Sequence, residues 1–299
     1  MAPSSVIAVE GLTKCYGKVV GVRPLGFSVE RGEIFGFLGP NGAGKTTTIR
    51  LLLDLLRPTG GKIYFKGEEV ERNSLSIRRS CGYLPGNFRA YGNMKGAEFL
   101  RFVAEMRGVV ARMPAKLLDR FGLSKFDLSR KIKHLSHGTQ QKLGIVQAFF
   151  HGPELLILDE PTIGLDPLMQ EEFYGLLREA QATGVTIFFS SHNLPEVEKV
   201  CRRAAIVREG ELVAVETLEN LKKNCYRRLE VTLSRPVEAF ALKGAELVKQ
   251  HGLKYDFLIK GDLTEILHNL SGYPLEDMVL PKPDLAEVFM TYYRRGSDE

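Results

Sequence analysis

No stretch of this 299-residue chain approaches the roughly 18 consecutive apolar residues that a membrane-spanning helix requires. The first residues (Met1, Ala2, Pro3, Ser4, Ser5) lack both the basic cluster and the apolar run of a secretory signal. The chain is therefore expected neither to span a membrane nor to be exported. Cysteine is scarce: Cys15, Cys81, Cys201 and Cys225 stand far apart with no CxxC pair. That argues against a disulfide framework or a zinc site and suits a reducing compartment, the cytoplasm. A segregated basic arm is missing too, because 41 Lys and Arg are interspersed with 36 Asp and Glu for a net charge of +5. Nucleic-acid binding gets little support from that charge. There is no fixed-period repeat and no low-complexity tract. What remains, 44% hydrophobic and 26% charged, is the composition of a soluble globular protein with room for one large domain or two ordinary ones.

Up to about residue 218, short β-rich runs (VIAVEGL, GEIFGFLG, GKIYF, CGYLP, LLILDE, VTIFFSS) alternate with amphipathic segments, the order of an α/β domain. The polar, basic joint LENLKKNCYRR (218–228) then separates residues 1–218 from a tail, 225–299. The tail holds 10 Lys and Arg against 12 Asp and Glu, a net of −2, which leaves +7 for residues 1–224. In it RRLEVTLS, AELVKQHG, LKYDFLIKG and LEDMVLP read as strands. DLTEILHNL and DLAEVFMTYY have helical spacing with Asp262 and Asp284 as N-caps, the second placing Leu285, Val288, Phe289 and Tyr292 on one face. A small α+β unit is expected there.

The most specific motif is GPNGAGKTT, between the apolar run Ile34–Leu38 and a helical stretch. Glycine at 39, 42 and 44 lets backbone N–H groups close around phosphate oxygens where a Cβ would block approach. Pro40, Asn41, Ala43 and Thr47 complete the loop, and the helix N-terminus faces the negative charge. Lys45 can reach the β and γ phosphates, and the Thr46 hydroxyl can ligate Mg²⁺. The strand LLILDEP ends in two carboxylates, at the edge where parallel sheets place ligands. Asp159 is suited to hold Mg²⁺ and Glu160 to act as general base toward a water.

GPNGAGKTT, LSHGTQQK (135–142), LDEP, GLDP (164–167) and SSHN (190–193) follow one another, with Ser136 just 23 residues before Asp159. In this order they resemble the ATP-binding subunits of ABC transporters, over roughly residues 5–218. The resemblance implies a P-loop nucleotide hydrolase domain with a helical subdomain at about 87–150. It also implies an ATP-bound dimer, expected as a homodimer, in which each ATP lies between the phosphate loop of one subunit and the LSHGT segment of the other. Tyr16 would stack on adenine, and Ser136 and Gly138 would reach the partner's γ-phosphate. Asp166 would lie at the dimer seam, and His192 would bind the γ-phosphate and fix the water activated by Glu160. Taken without the family, Ser136 reads equally well as an N-cap, Asp166 as an ordinary turn residue and His192 as a structural strand-end histidine.

Two motifs depart from the family. His137 and Thr139 replace the first Gly and the Gln of LSGGQ, and Gly86 in GYLPGN stands where a Mg²⁺-sensing glutamine is usual. From Asn93 to Arg130, the spacing of Leu100, Val103 and Met106, then Leu117, Leu118 and Phe121, predicts the buried faces of the helical subdomain. The functional expectation is an ATPase subunit, peripheral on the cytoplasmic face of the membrane, that drives export through a separate integral permease and binds no nucleic acid. A soluble ABC ATPase in translation and an ATP-gated regulatory protein are the alternatives. A single phosphate loop counts against the first, and Glu160 against the second.

Overall fold

A computed structural model describes residues 5–71, 74–109, 114–223, 227–237, 240–259 and 263–281. Cys225, Asp262, Asp284 and the helix expected over 284–293 lie outside these residues. The chain divides into two compact units, Met1–Thr217 and Leu218–Glu299.

The first unit begins with the hairpin β1 (Ser5–Tyr16) and β2 (Val19–Glu30), then β3 (Ile34–Leu38) and α1 (Lys45–Leu52). β4 (Gly60–Phe65), β5 (Glu68–Glu69), α2 (Ser74–Ser80) and β6 (Cys81–Leu84) lead to the helices α3 (Gly96–Met106), α4 (Ala115–Arg120) and α5 (Lys125–Ser129). After α6 (His137–Phe149), strands and helices alternate as β7 (Leu155–Asp159), α7 (Pro167–Ala182), β8 (Thr186–Ser191), α8 (Leu194–Val200), β9 (Arg203–Arg208) and β10 (Glu211–Thr217).

These strands form two sheets. One is antiparallel, in the order β2-β1-β4-β5. The other runs β10-β9-β3-β8-β7-β6, parallel except for β10. Strands β3, β7 and β8 are buried at every residue. Parallel strands covered on both faces need continuous apolar runs, and IFGFL, LLILD and TIFFSS supply them until the last polar residues. Between the sheets sits an aromatic cluster, with Phe27 5.7 Å from Phe35 and Phe37 5.2 Å from Phe188, ring centre to ring centre. Successive strands β6, β7 and β8 lie to one side of β3, and the chain crosses it to place β9 on the other. The C-terminal end of β3, where the glycine loop begins, is thus next to a topological switch point, where doubly wound sheets bind ligands.

In the helical segment, α3 buries Phe99, Leu100 and Ala104. This corrects the face expected from Leu100, Val103 and Met106, since Met106 is 74% exposed. The helix is rotated because Phe99 fills space beside Phe88, 5.9 Å away edge to face, and the bulkier aromatic contact outweighs Met106. Leu118 and Phe121 are buried as expected, with Leu117 partly so.

The second unit contains α9 (Leu218–Lys223), β11 (Arg227–Leu233), β12 (Ala245–His251), β13 (Lys254–Ile259), α10 (Leu263–Leu270) and β14 (Leu275–Val279). Its antiparallel sheet has the order β12-β13-β11-β14. Leu229, Val231, Phe257 and Ile259 alternate onto one face and pack with Ile266 and Leu270 of α10. The opposite face carries the ion pairs Arg228–Asp256 and Lys254–Glu230.

Candidate functional site

The glycine loop turns from β3 into α1 through Gly44, whose φ of 91° is strained for any residue with a Cβ. The loop is pinned at its start, where Gly39 N donates to Ser191 O at 3.2 Å, and closed by Ala43 N on Pro40 O at 3.2 Å. Lys45, the first residue of α1, is only 6% exposed. Its Nζ donates to Gly39 O (2.7 Å) and Pro40 O (3.0 Å) and pairs with Glu160 Oε1 at 3.0 Å. Thr46 Oγ1 donates to Asp159 Oδ2 at 2.7 Å. Asn41 and Gly42 are exposed, and Thr47 is partly buried.

Asp159 ends β7 and Glu160 directly follows it, and the end of β8 holds both. Ser190 Oγ donates to Asp159 Oδ1 at 2.7 Å and accepts Glu160 N at 3.1 Å. His192 Nδ1 lies 2.6 Å from Glu160 Oε2. Glu160 has φ 49°, left-handed for a residue with a side chain, a strain that surrounding bonds must sustain. Burial and the nearby Asp159 carboxylate push the Tyr83 hydroxyl up to about 12. Neutral Tyr83 therefore adds no second negative charge beside Asp159.

An open cavity of about 790 Å³ has Tyr16, Val20, Gly42, Lys45, Thr46 and Glu160 in its wall. The half-exposed Tyr16 ring covers Gly21, where a Cβ would come within 2.8 Å of it. A smaller cavity of about 470 Å³, beside Lys66, Glu154 and Thr186, includes no motif residue.

Ser136, Gly138 and Asp166 do not line the larger cavity. They belong to a second cluster of their own. Ser136 Oγ accepts Thr139 N (3.1 Å) and caps α6, and Asp166 Oδ1 accepts Met169 N (3.0 Å) and caps α7. A Cβ on Gly138 would lie 2.7 Å from Gly164 O, and one on Gly164 would lie 2.6 Å from the His137 ring. His137, the departure from LSGGQ, thus packs over the GLDP turn. At the other departure, a Cβ on Gly86 would lie 3.1 Å from Asp159 O and 3.4 Å from its carboxylate. Position 86 therefore borders Asp159 directly but presents only backbone.

Sequence reading missed Ser190, Thr162 and Glu196. Buried Glu196 accepts Thr162 Oγ1 at 2.9 Å and Ser191 Oγ at 2.8 Å. The available signal was the position of Glu196 four residues after His192, which returns it to the same end of β8.

A family model described as ABC transporter matches residues 22–163. The bacitracin transport ATP-binding protein of Bacillus licheniformis is 38% identical over 261 residues, covering 87% of this chain and 83% of that protein. The chain belongs to the ABC transporter ATP-binding proteins. The linearmycin resistance ATP-binding protein of Bacillus subtilis is 33% identical over 244 residues, 79% of this chain and 77% of its own length. A solved ATP-binding subunit of an ABC transporter is 33% identical with a TM-score of 0.68, over 73% of this chain and 92% of that one. A dimeric bacterial ABC cassette shares the fold, with 22% identity and a TM-score of 0.64 over 71% of this chain and 98% of that one. This ABC ATP-binding protein is accordingly an ATPase coupled to transport, built on the P-loop fold. Among the described residues, no helix is long and apolar enough to cross a membrane.

Proposed function

We propose that the chain works as a homodimer on the cytoplasmic face of the membrane, where ATP closes the dimer and hydrolysis releases it, driving export through a separate integral permease. The bacitracin and linearmycin proteins among its relatives support an export role by their names. Those names favour neither a role in translation nor a purely regulatory one. Residues 1–218 would bind and hydrolyse ATP, and 225–299 would form an accessory domain with no phosphate or nucleic-acid site.

The observation that carries the reading is the meeting of Lys45, Glu160 and His192 at the mouth of the glycine loop. In this assignment the backbone of Gly39–Gly44 and the first turn of α1, with Thr46 and Thr47, surround the phosphates, and Tyr16 stacks on adenine. Lys45 would exchange its Glu160 contact for the β and γ phosphate oxygens, freeing the carboxylate. Glu160 would then take a proton from water as the water oxygen attacks the γ-phosphorus and the bond to ADP breaks. His192, already hydrogen-bonded to Glu160, would orient that carboxylate and the γ-phosphate. Thr46 Oγ1 and Asp159 Oδ2, hard oxygen donors 2.7 Å apart, fit Mg²⁺. When bound, that ion supplies positive charge to the phosphates. Ser136, Gly138 and Asp166, absent from the cavity wall, would serve the partner's nucleotide.

The test is Glu160→Gln, which keeps the shape but cannot accept the proton. ATP affinity should persist while turnover falls by about 100-fold or more, and an ATP-bound dimer should accumulate in gel filtration. Hydrolysis at the parental rate would remove Glu160 as the base.

A further inference from the structure

Between Glu160 and α7 the chain turns through Pro161–Leu165, and the side chain that secures this turn lies outside all five motifs. Glu196, on α8, is 8% exposed. Its Oε1 accepts Thr162 Oγ1 at 2.9 Å and Asn193 Nδ2 at 3.3 Å, and its Oε2 accepts Ser191 Oγ at 2.8 Å. Ser191 Oγ also accepts Asn193 N at 2.9 Å. One carboxyl group therefore ties the residues flanking His192 to the residue two positions after Glu160. The same turn is gripped from α6, where Gln141 Nε2 donates to Pro161 O at 2.8 Å and Gly138 abuts Gly164 O.

We infer that Glu196 is a positioning residue for ATP hydrolysis. It holds Glu160 and His192 in their 2.6 Å contact and joins that contact to the Thr162–Asp166 turn. A buried acceptor with three donors fixes geometry because breaking the set leaves several polar groups unpaired in a low-dielectric site. Misplacing a base by about 1 Å can slow a reaction about 100-fold without loss of binding. This inference rests on Glu160 and His192 being catalytic, as proposed above.

The test uses the full chain, steady-state ATPase kinetics, titration with a fluorescent ATP analogue and thermal unfolding. Glu196→Ala should lower kcat about tenfold or more, with KM and analogue affinity within about twofold of the parent. Thr162→Val, which keeps the side-chain shape and removes only the hydroxyl, should lower kcat severalfold in a fully folded protein. Glu196→Gln, which retains an acceptor for Thr162 and Asn193, should recover more than half of the parental kcat. If Glu196→Ala fails to fold, the other two variants decide. A Thr162→Val kcat within twofold of the parent overturns the inference, as does a Glu196→Gln no faster than Thr162→Val. So does a fall in kcat matched by lost nucleotide affinity. A Glu160→Gln enzyme with parental turnover would fail separately, removing the base assignment whatever the Glu196 variants do.

Discussion

Glu160 must hold a left-handed backbone while its two carboxyl oxygens face different partners, Lys45 on one side and His192 on the other. Its amide is secured by both Ser190 O and Ser190 Oγ, so the strain is sustained by the neighbouring strand. Residue-scale constraints of the opposite kind act at Gly138, where any Cβ would sit 2.7 Å from the backbone oxygen of Gly164. Backbone cannot yield as a flexible side chain can. Gly138→Ala should therefore cost about 1–3 kcal/mol of stability and displace the GLDP turn from the α6 terminus. Thermal unfolding and ATPase assays read both effects, and an unchanged midpoint with unchanged turnover would contradict the close packing. Gly86 differs, since a Cβ 3.1 Å from Asp159 O requires only a small adjustment.

The parallel strands bring their C-terminal ends to one edge because they run in the same direction, and helix caps organise the segments that follow. Ser136 and Asp166 serve as those caps within the subunit, which is compatible with a second role, since each side chain sits at an exposed helix start. The turn after α6 carries a titratable group. Burial, then the nearby Arg107 guanidinium, pushes His151 from the ordinary 6.5 down to about 4. A histidine with a depressed folded-state pKa binds its proton in the unfolded chain first. Stability contributed by neutral His151 is thus present above pH 6.5 and lost as pH falls from 6.5 toward 4, with no further change below. Allowing for partial exposure, urea denaturation should show about 1 kcal/mol less stability at pH 5 than at pH 7 from this group. His151→Phe should remove that component, and an unaltered pH dependence would show that other groups dominate.

For the whole molecule, the proposed homodimer sets the LSHGT cluster of one subunit against the nucleotide of the other. A Ser136→Arg chain and a Lys45→Ala chain should each be inactive alone, because every composite site in either homodimer lacks one part. Mixed, they should form dimers with one intact site and recover activity, as two-fold symmetry requires. ATPase assays on titrated mixtures check this. Activity that never rises on mixing, or equal activity from each variant alone, would discard the shared site.

The strand, glycine loop and helix of GPNGAGKTT and the buried strand ending in Asp159 and Glu160 were legible in the sequence, because each is a local pattern whose chemistry depends on neighbouring residues. The order of the five motifs then pointed to the family. The contacts that join motifs were not legible. Ser190 on Asp159, His192 on Glu160 and Glu196 on Thr162 span about 30 residues each and exist only because β7 and β8 are parallel neighbours. The rotation of α3 toward Phe99 likewise depended on Phe88, eleven residues earlier, being folded against it. Periodicity shows that a helix has an apolar side, but the volume of what lies opposite decides which residues occupy it.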